Sequence, residues 1–204
     1  RVLLICGALS SALYLVAVDV VAALAHPEYH GYASQMVSEL MARDAPTRPV
    51  LVPLLTVYNL LVLAFPLGVW MAARGRLIVR ATAIALFAYG LASSAGLVLA
   101  PMDLRTAGVT PQTVLHIWAT ALQGVGMVAS MVLGAFVGGR RLRIASFASL
   151  ALSAGAGGVA GVMAGEEAMA WVGLVERVSV YAWMGWMFLL SVSLLRAEEP
   201  RGAR

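Results

Sequence analysis

The sequence predicts an all-α, polytopic integral membrane protein, a single six-helix transmembrane bundle with both termini cytoplasmic, and three observations carry that prediction. Hydrophobic residues make up 61% of the 204 residues and charged residues only 12%, with a mean hydropathy of +0.88. A water-soluble globule does not tolerate that balance. Six apolar segments each reach the roughly 20 residues that a helix needs to cross the hydrocarbon core. Arginine clusters, Arg74-Gly75-Arg76, Arg140-Arg141-Leu142-Arg143 and the tail from Arg196 to Arg204, follow every second segment, the pattern expected of cytoplasmic ends.

The segments run in order over Val2–Ala25, Val50–Ala73, Leu77–Ala100, Thr113–Gly138, Ile144–Gly165 and Trp171–Leu195. The first carries Arg1, an apolar stretch and Ala23-Leu24-Ala25, features of a secretory signal, but its length and the internal Asp19 argue for a retained span. The connection His26–Pro49 is the one long enough for structure of its own, a short helix across Ser34–Ala42 on the membrane surface or capping the bundle. Pro53 and Pro66 each remove a helical hydrogen bond from the second segment, which predicts a bend there. The connections after the second and fourth segments are short and basic. Those after the first, third and fifth carry His, Asp, Glu, Pro and aromatics. In the fifth segment Gly157, Gly161 and Gly165 recur at four-residue spacing, a signal for close helix approach, either within the chain or as a homodimer face. Residues 1–204 read as a single domain, with no linker, low-complexity stretch or convincing internal repeat.

The net charge of +4 and pI near 9.7 would suggest nucleic acid in a soluble chain. Here the excess is arginine at loop ends, so nucleic acid is excluded as a partner. Cys6 stands alone, which leaves no disulfide framework and reads as a small buried hydrophobe. No phosphate-binding loop or dinucleotide fingerprint is present, and no cofactor is expected. His26 and His30 have i, i+4 spacing, a weak metal signal, so the site is expected to be metal-free; Glu166-Glu167 reads as a solvated loop.

Polar side chains inside the spans carry more information, because an ionised group at the bilayer centre costs on the order of 3 kcal/mol on insertion scales. Asp19, His116, Glu176 and Arg177 lie one to two turns from the outer ends, with Asn59, Gln123, Ser93 and Ser94 at comparable or greater depth. Polar groups on five helices thus share a level, which predicts one polar cavity opening outward. Each has a structural alternative. Glu176 and Arg177 are adjacent, hence about 100° apart on a helix, so Arg177 needs Asp19, Asp103 or another acid as partner. Asp103 could simply end the third helix after Pro101. His116 could be a satisfied interfacial imidazole or, with an ordinary pKa near 6.5, a proton carrier. Asp19, surrounded by Val, Ala and Leu, reads as a neutral, proton-donating acid. Tyr29, Tyr32 and Trp118 fit an interfacial aromatic belt.

His26-Pro27-x-Tyr29, Ser38-Glu39-Leu40, Pro101-x-Asp103, His116 and Glu176-Arg177, in that order, resemble the prokaryotic six-span family known as domain of unknown function 998. The resemblance implies a six-helix membrane protein, sited in a prokaryotic plasma membrane, with recurring polar positions at Tyr29, Ser38, Asp103, His116, Glu176 and Arg177. It implies no activity, and Asp19 is not among the positions it matches, which leaves open whether Asp19 belongs to a shared or a specialised site.

Two function classes follow. One is a membrane-embedded enzyme doing metal-independent acid/base chemistry on a lipid-soluble substrate, such as isoprenoid-type cyclisation or isomerisation, a lyase or isomerase of the terpene-cyclase kind. Its catalytic candidates are Asp19, His116 and Glu176; its binding candidates are Tyr29, Ser38, Asn59, Asp103, Trp118 and Arg177. The other is a lipid or solute binder, or a small proton-coupled transporter, using the same pocket, although the inverted repeats of many transporters are not visible. In both the partner is a lipophilic small molecule or lipid. Lipid hydrolysis lacks a nucleophile-elbow pattern.

Overall fold

The computed structural model describes residues 1–29, 31–104, 107–163 and 170–198. Among these residues there is no strand, and six helices are long and apolar enough to span a membrane. They are α1 (Val2–Ala25), α2 (Arg48–Met71), α3 (Leu77–Leu99), α4 (Pro111–Gly134), α5 (Arg140–Met163) and α6 (Val172–Ala197). Local chemistry sets several ends. Thr110 accepts a hydrogen bond from the Thr113 amide at 3.0 Å, ahead of Pro111 in the first turn of α4, which satisfies a donor that the helix cannot. Arg74 and Gly75 turn through positive φ between α2 and α3, and Gly75 accepts that conformation without a Cβ clash.

Two elements differ from expectation. The segment 34–42 forms only a 3₁₀ turn, Ser38–Met41, tucked into the bundle with Glu39 and Leu40 buried. Carboxylates cap its leading amides: Met36 N–H donates to Glu39 Oε2 at 3.0 Å and Val37 N–H to Glu176 Oε2 at 2.5 Å, donors that a helical turn leaves unsatisfied. Within α1, residues Val16–Val21 form a π turn around Asp19, a widening often found at functional sites. By contrast, α2 continues as one helix through Pro53 and Pro66.

The helices form a ring in the order α5, α6, α1, α2, α3, α4, each packed on the next, while α4 and α5 meet sparsely and α4 barely touches α6. Close approaches at small residues hold the basic half. A Cβ on Gly68 would lie 2.8 Å from the backbone of Leu3, and one on Gly134 would strike the ring of Trp186. Phe65, Trp186, Met187 and Leu190 are buried there, and Trp186 Nε1 donates to Ser146 Oγ at 2.8 Å. The start of α1 meets the last turn of α6: the Arg1 ammonium is 3.9 Å from Glu198. Arg76 donates to the Val137 carbonyl at 2.8 Å, tying the two basic turns to each other. The buried residues of α4 are Gly126, Ser130, Met131 and Gly134, all toward this end. In its other half Leu115, Trp118 and Leu122 are exposed. The ring is therefore closed at the basic end and parts between α4 and α5 toward the loop end.

Candidate functional site

Inside the parted half lies a cavity of about 700 Å³. Its roof is the 3₁₀ turn with Met36 and Val37, and all six helices contribute to its walls and floor. Most of the surface is apolar, with a few convergent polar groups, the usual constitution of a small-molecule site. Near the loop end these groups are Ser38, Asp103, His116 and Glu176; deeper they are Asn59, Ser93 and Gln123.

His116 Nδ1 is 2.7 Å from the Ala100 carbonyl oxygen. A carbonyl only accepts, so Nδ1 carries the proton and Nε2 presents its lone pair, with the Thr120 hydroxyl at 3.4 Å as its neighbour. Glu176 receives the Val37 amide on Oε2. Asp103 accepts from Thr110 Oγ1 at 2.6 Å and lies 3.4 Å from Arg43 Nε. Arg43 N–H in turn donates to the Met102 carbonyl at 2.9 Å, so Asp103 also ties two loops together.

A second polar system lies outside the cavity lining. Arg177, 1% exposed, donates through Nε to Asp19 Oδ1 at 3.1 Å. Its Nη1 reaches the carbonyls of Tyr32, Gln35 and Gly173 at 2.9, 2.8 and 3.1 Å. The Tyr32 ring stacks at 4.5 Å from the guanidinium carbon, and Tyr181 donates its hydroxyl proton to Asp19 Oδ2. The network fastens the long loop to the bundle. It corrects the reading of Asp19 as a lone neutral acid in the pocket: Asp19 is the counter-ion of a buried guanidinium, and neither residue lines the cavity.

The family model for the protein of unknown function (DUF998) matches residues 8–193. The chain belongs to that family. No curated protein and no solved structure matches it. In this DUF998 chain the six polar positions that the resemblance implied divide by task. Ser38, Asp103, His116 and Glu176 face the cavity, whereas Arg177 clamps the loop and Tyr29 donates to the Glu39 carbonyl at 3.3 Å. Trp118, the remaining binding candidate, is 71% exposed on the outer face of α4, as an interfacial belt residue would be. Asn59 lines the cavity at greater depth.

The glycine stripe of α5 turns inward: Gly157 packs against Ser179 Oγ, with a Cβ position 3.0 Å away, and Gly161 borders the cavity. Gly165, His30 and Glu166-Glu167 lie outside the described residues. His26 sits 3.4 Å from Glu28. Among the described residues no group of three or more His, Cys, Asp or Glu side chains is placed to hold a metal.

Sequence reasoning missed the aromatic floor. Tyr58 and Tyr89 pair their hydroxyls at 2.9 Å, and the rings of Tyr14 and Trp183 pack at a tilt on Tyr58 and Tyr89, with centroids 5.0 and 4.5 Å apart. The signal was present, because tyrosines in the middle of a span are outside the belt that normally explains them, and a buried hydroxyl needs a partner.

Proposed function

We propose that this DUF998 protein binds a lipophilic small molecule in the cavity, admits it from the bilayer between α4 and α5, and performs metal-independent acid/base chemistry on it. The observation that carries the reading is the position of His116 on the wall of an otherwise apolar cavity, Nδ1 committed to Ala100 and Nε2 available as a base. Glu176, which lines the same cavity from α6, is the proposed acid. An isomerisation fits this pair: Glu176 delivers a proton to one carbon of a double bond, the cation forms on the other, and His116 removes a proton from the next carbon beyond it, so that the double bond moves one position with no net proton gained. Cyclisation uses the same two transfers with a carbon–carbon bond formed between them. Positive-inside bias supports the loop end, and hence the site, on the extracytoplasmic face of a plasma membrane. Binding without turnover is the second reading, favoured by Glu176 Oε2 already being engaged by the Val37 amide. A homodimer through α5 is not part of the proposal, because Gly157 and Gly161 are used inside the chain.

Two measurements test it. Purified protein should retain a lipid identifiable by mass spectrometry of its organic extract. Gly124→Leu and Gly161→Leu, at cavity positions where a Cβ meets nothing within 4 Å, should lower its occupancy at least tenfold without unfolding. Incubated with a membrane lipid extract in deuterated water, the wild type should introduce deuterium into one lipid species, and His116→Ala and Glu176→Gln should not. Retained lipid without deuterium uptake would select the binder; full occupancy in both glycine variants would sink the pocket itself.

A further inference from the structure

The inner end of the cavity presents hydrogen-bond donors that the fold leaves unused. Asn59 is 6% exposed and its Oδ1 accepts from Ser93 Oγ at 2.9 Å. Its amide NH2 has no partner among the described residues, and the side chain borders the cavity. The indole N–H of Trp183, also on the wall and 1% exposed, makes no close hydrogen bond and has only the Tyr58 and Tyr89 hydroxyls within reach. Tyr58 and Tyr89 share one hydroxyl proton between them, so the pair has a second one to donate. The ionisable side chains on the wall, Asp103, His116 and Glu176, all sit nearer the loop end. The floor is thus an uncharged nest of donors at the depth of the bilayer centre, since Asn59 is about 16 Å along α2 from its first residue.

A plain hydrocarbon chain seated there would leave these donors unmatched, which is unfavourable in low dielectric. An oxygen acceptor would satisfy them. Glu176 and Trp183 both border the cavity on α6; their separation of seven residues is two helical turns, about 10 Å of rise. We infer that the ligand carries two oxygen functions roughly 10 Å apart, one meeting His116 and Glu176 and the other a neutral hydroxyl or carbonyl held by Asn59 at the floor. This rests on the cavity being a ligand site and adds the chemical class of its occupant.

The probes are dodecanol and a set of dodecanediols whose second hydroxyl moves stepwise along the chain, with affinities from calorimetry on the detergent-solubilised protein. One diol is expected to bind about tenfold more tightly than dodecanol, the gain of one good hydrogen bond, and its isomers with the hydroxyl misplaced should lose that gain. Asn59→Leu should abolish the preference, so that this diol binds no more tightly than its isomers. Should that variant misfold, the position dependence in the wild type remains decisive. If every diol binds no better than dodecanol, the floor is served by water and the inference falls while the pocket stands. If no alcohol binds and Gly124→Leu changes nothing, both fall.

Discussion

Glu176 and Arg177 are neighbours in the chain with different duties. Their separation around the helix directs one to the cavity and the other to Asp19, Tyr32 and Gln35. The divergence was legible in the sequence because adjacent helical residues cannot face the same partner. Which acid Arg177 would take was not legible, since Asp19 and Asp103 compete on equal terms until the helices are placed. Removing the guanidinium strands Asp19, a carboxylate only 21% exposed, so Arg177→Leu should lower stability by about 3–5 kcal/mol. The check is the thermal midpoint of the solubilised protein. Adding Asp19→Leu should recover part of the loss, because the second substitution removes the uncompensated charge; no recovery would mean that the loop carbonyls, not the ion pair, dominate.

At the level of elements, the spans were readable to within a few residues because length and hydrophobicity decide what crosses a bilayer. The loop helix was misread. The segment instead meets Glu176 and Arg177 from a distant helix, through the Val37 amide and the Tyr32 and Gln35 carbonyls, contacts that no local pattern encodes. Glycines behave similarly: spacing marks them as contact residues but does not say what they contact. Gly68 carries the backbone of α1 against it, whereas Gly161 has nothing within 4 Å of its Cβ position. Gly68→Leu should therefore cost about 1–3 kcal/mol through overpacking, and Gly161→Leu should leave the thermal midpoint nearly unchanged while emptying the pocket. Equal destabilisation by both would refute the inward, open placement of Gly161.

The whole molecule is asymmetric: a close-packed basic half and a parted half with loops, cavity and all the described ionisable wall residues. If the basic end is cytoplasmic, a cysteine at Gly139 should react with an impermeant thiol reagent only after the membrane is opened, and one at Ala107 in intact cells; Cys6 is buried and silent. The reverse pattern would move the site to the inner face. What the sequence determined by itself was the class, the six spans and the grouping of the arginines, because burial in lipid leaves the backbone one solution and makes each charge conspicuous. The tertiary structure alone decided that Asp19 and Arg177 neutralise each other beside the cavity, that α4 and α5 part above it, and that mid-span aromatics form its floor. Those outcomes depend on how helices distant in sequence rotate and lean against one another, and that is set by the packing of whole faces rather than by any residue's own preference.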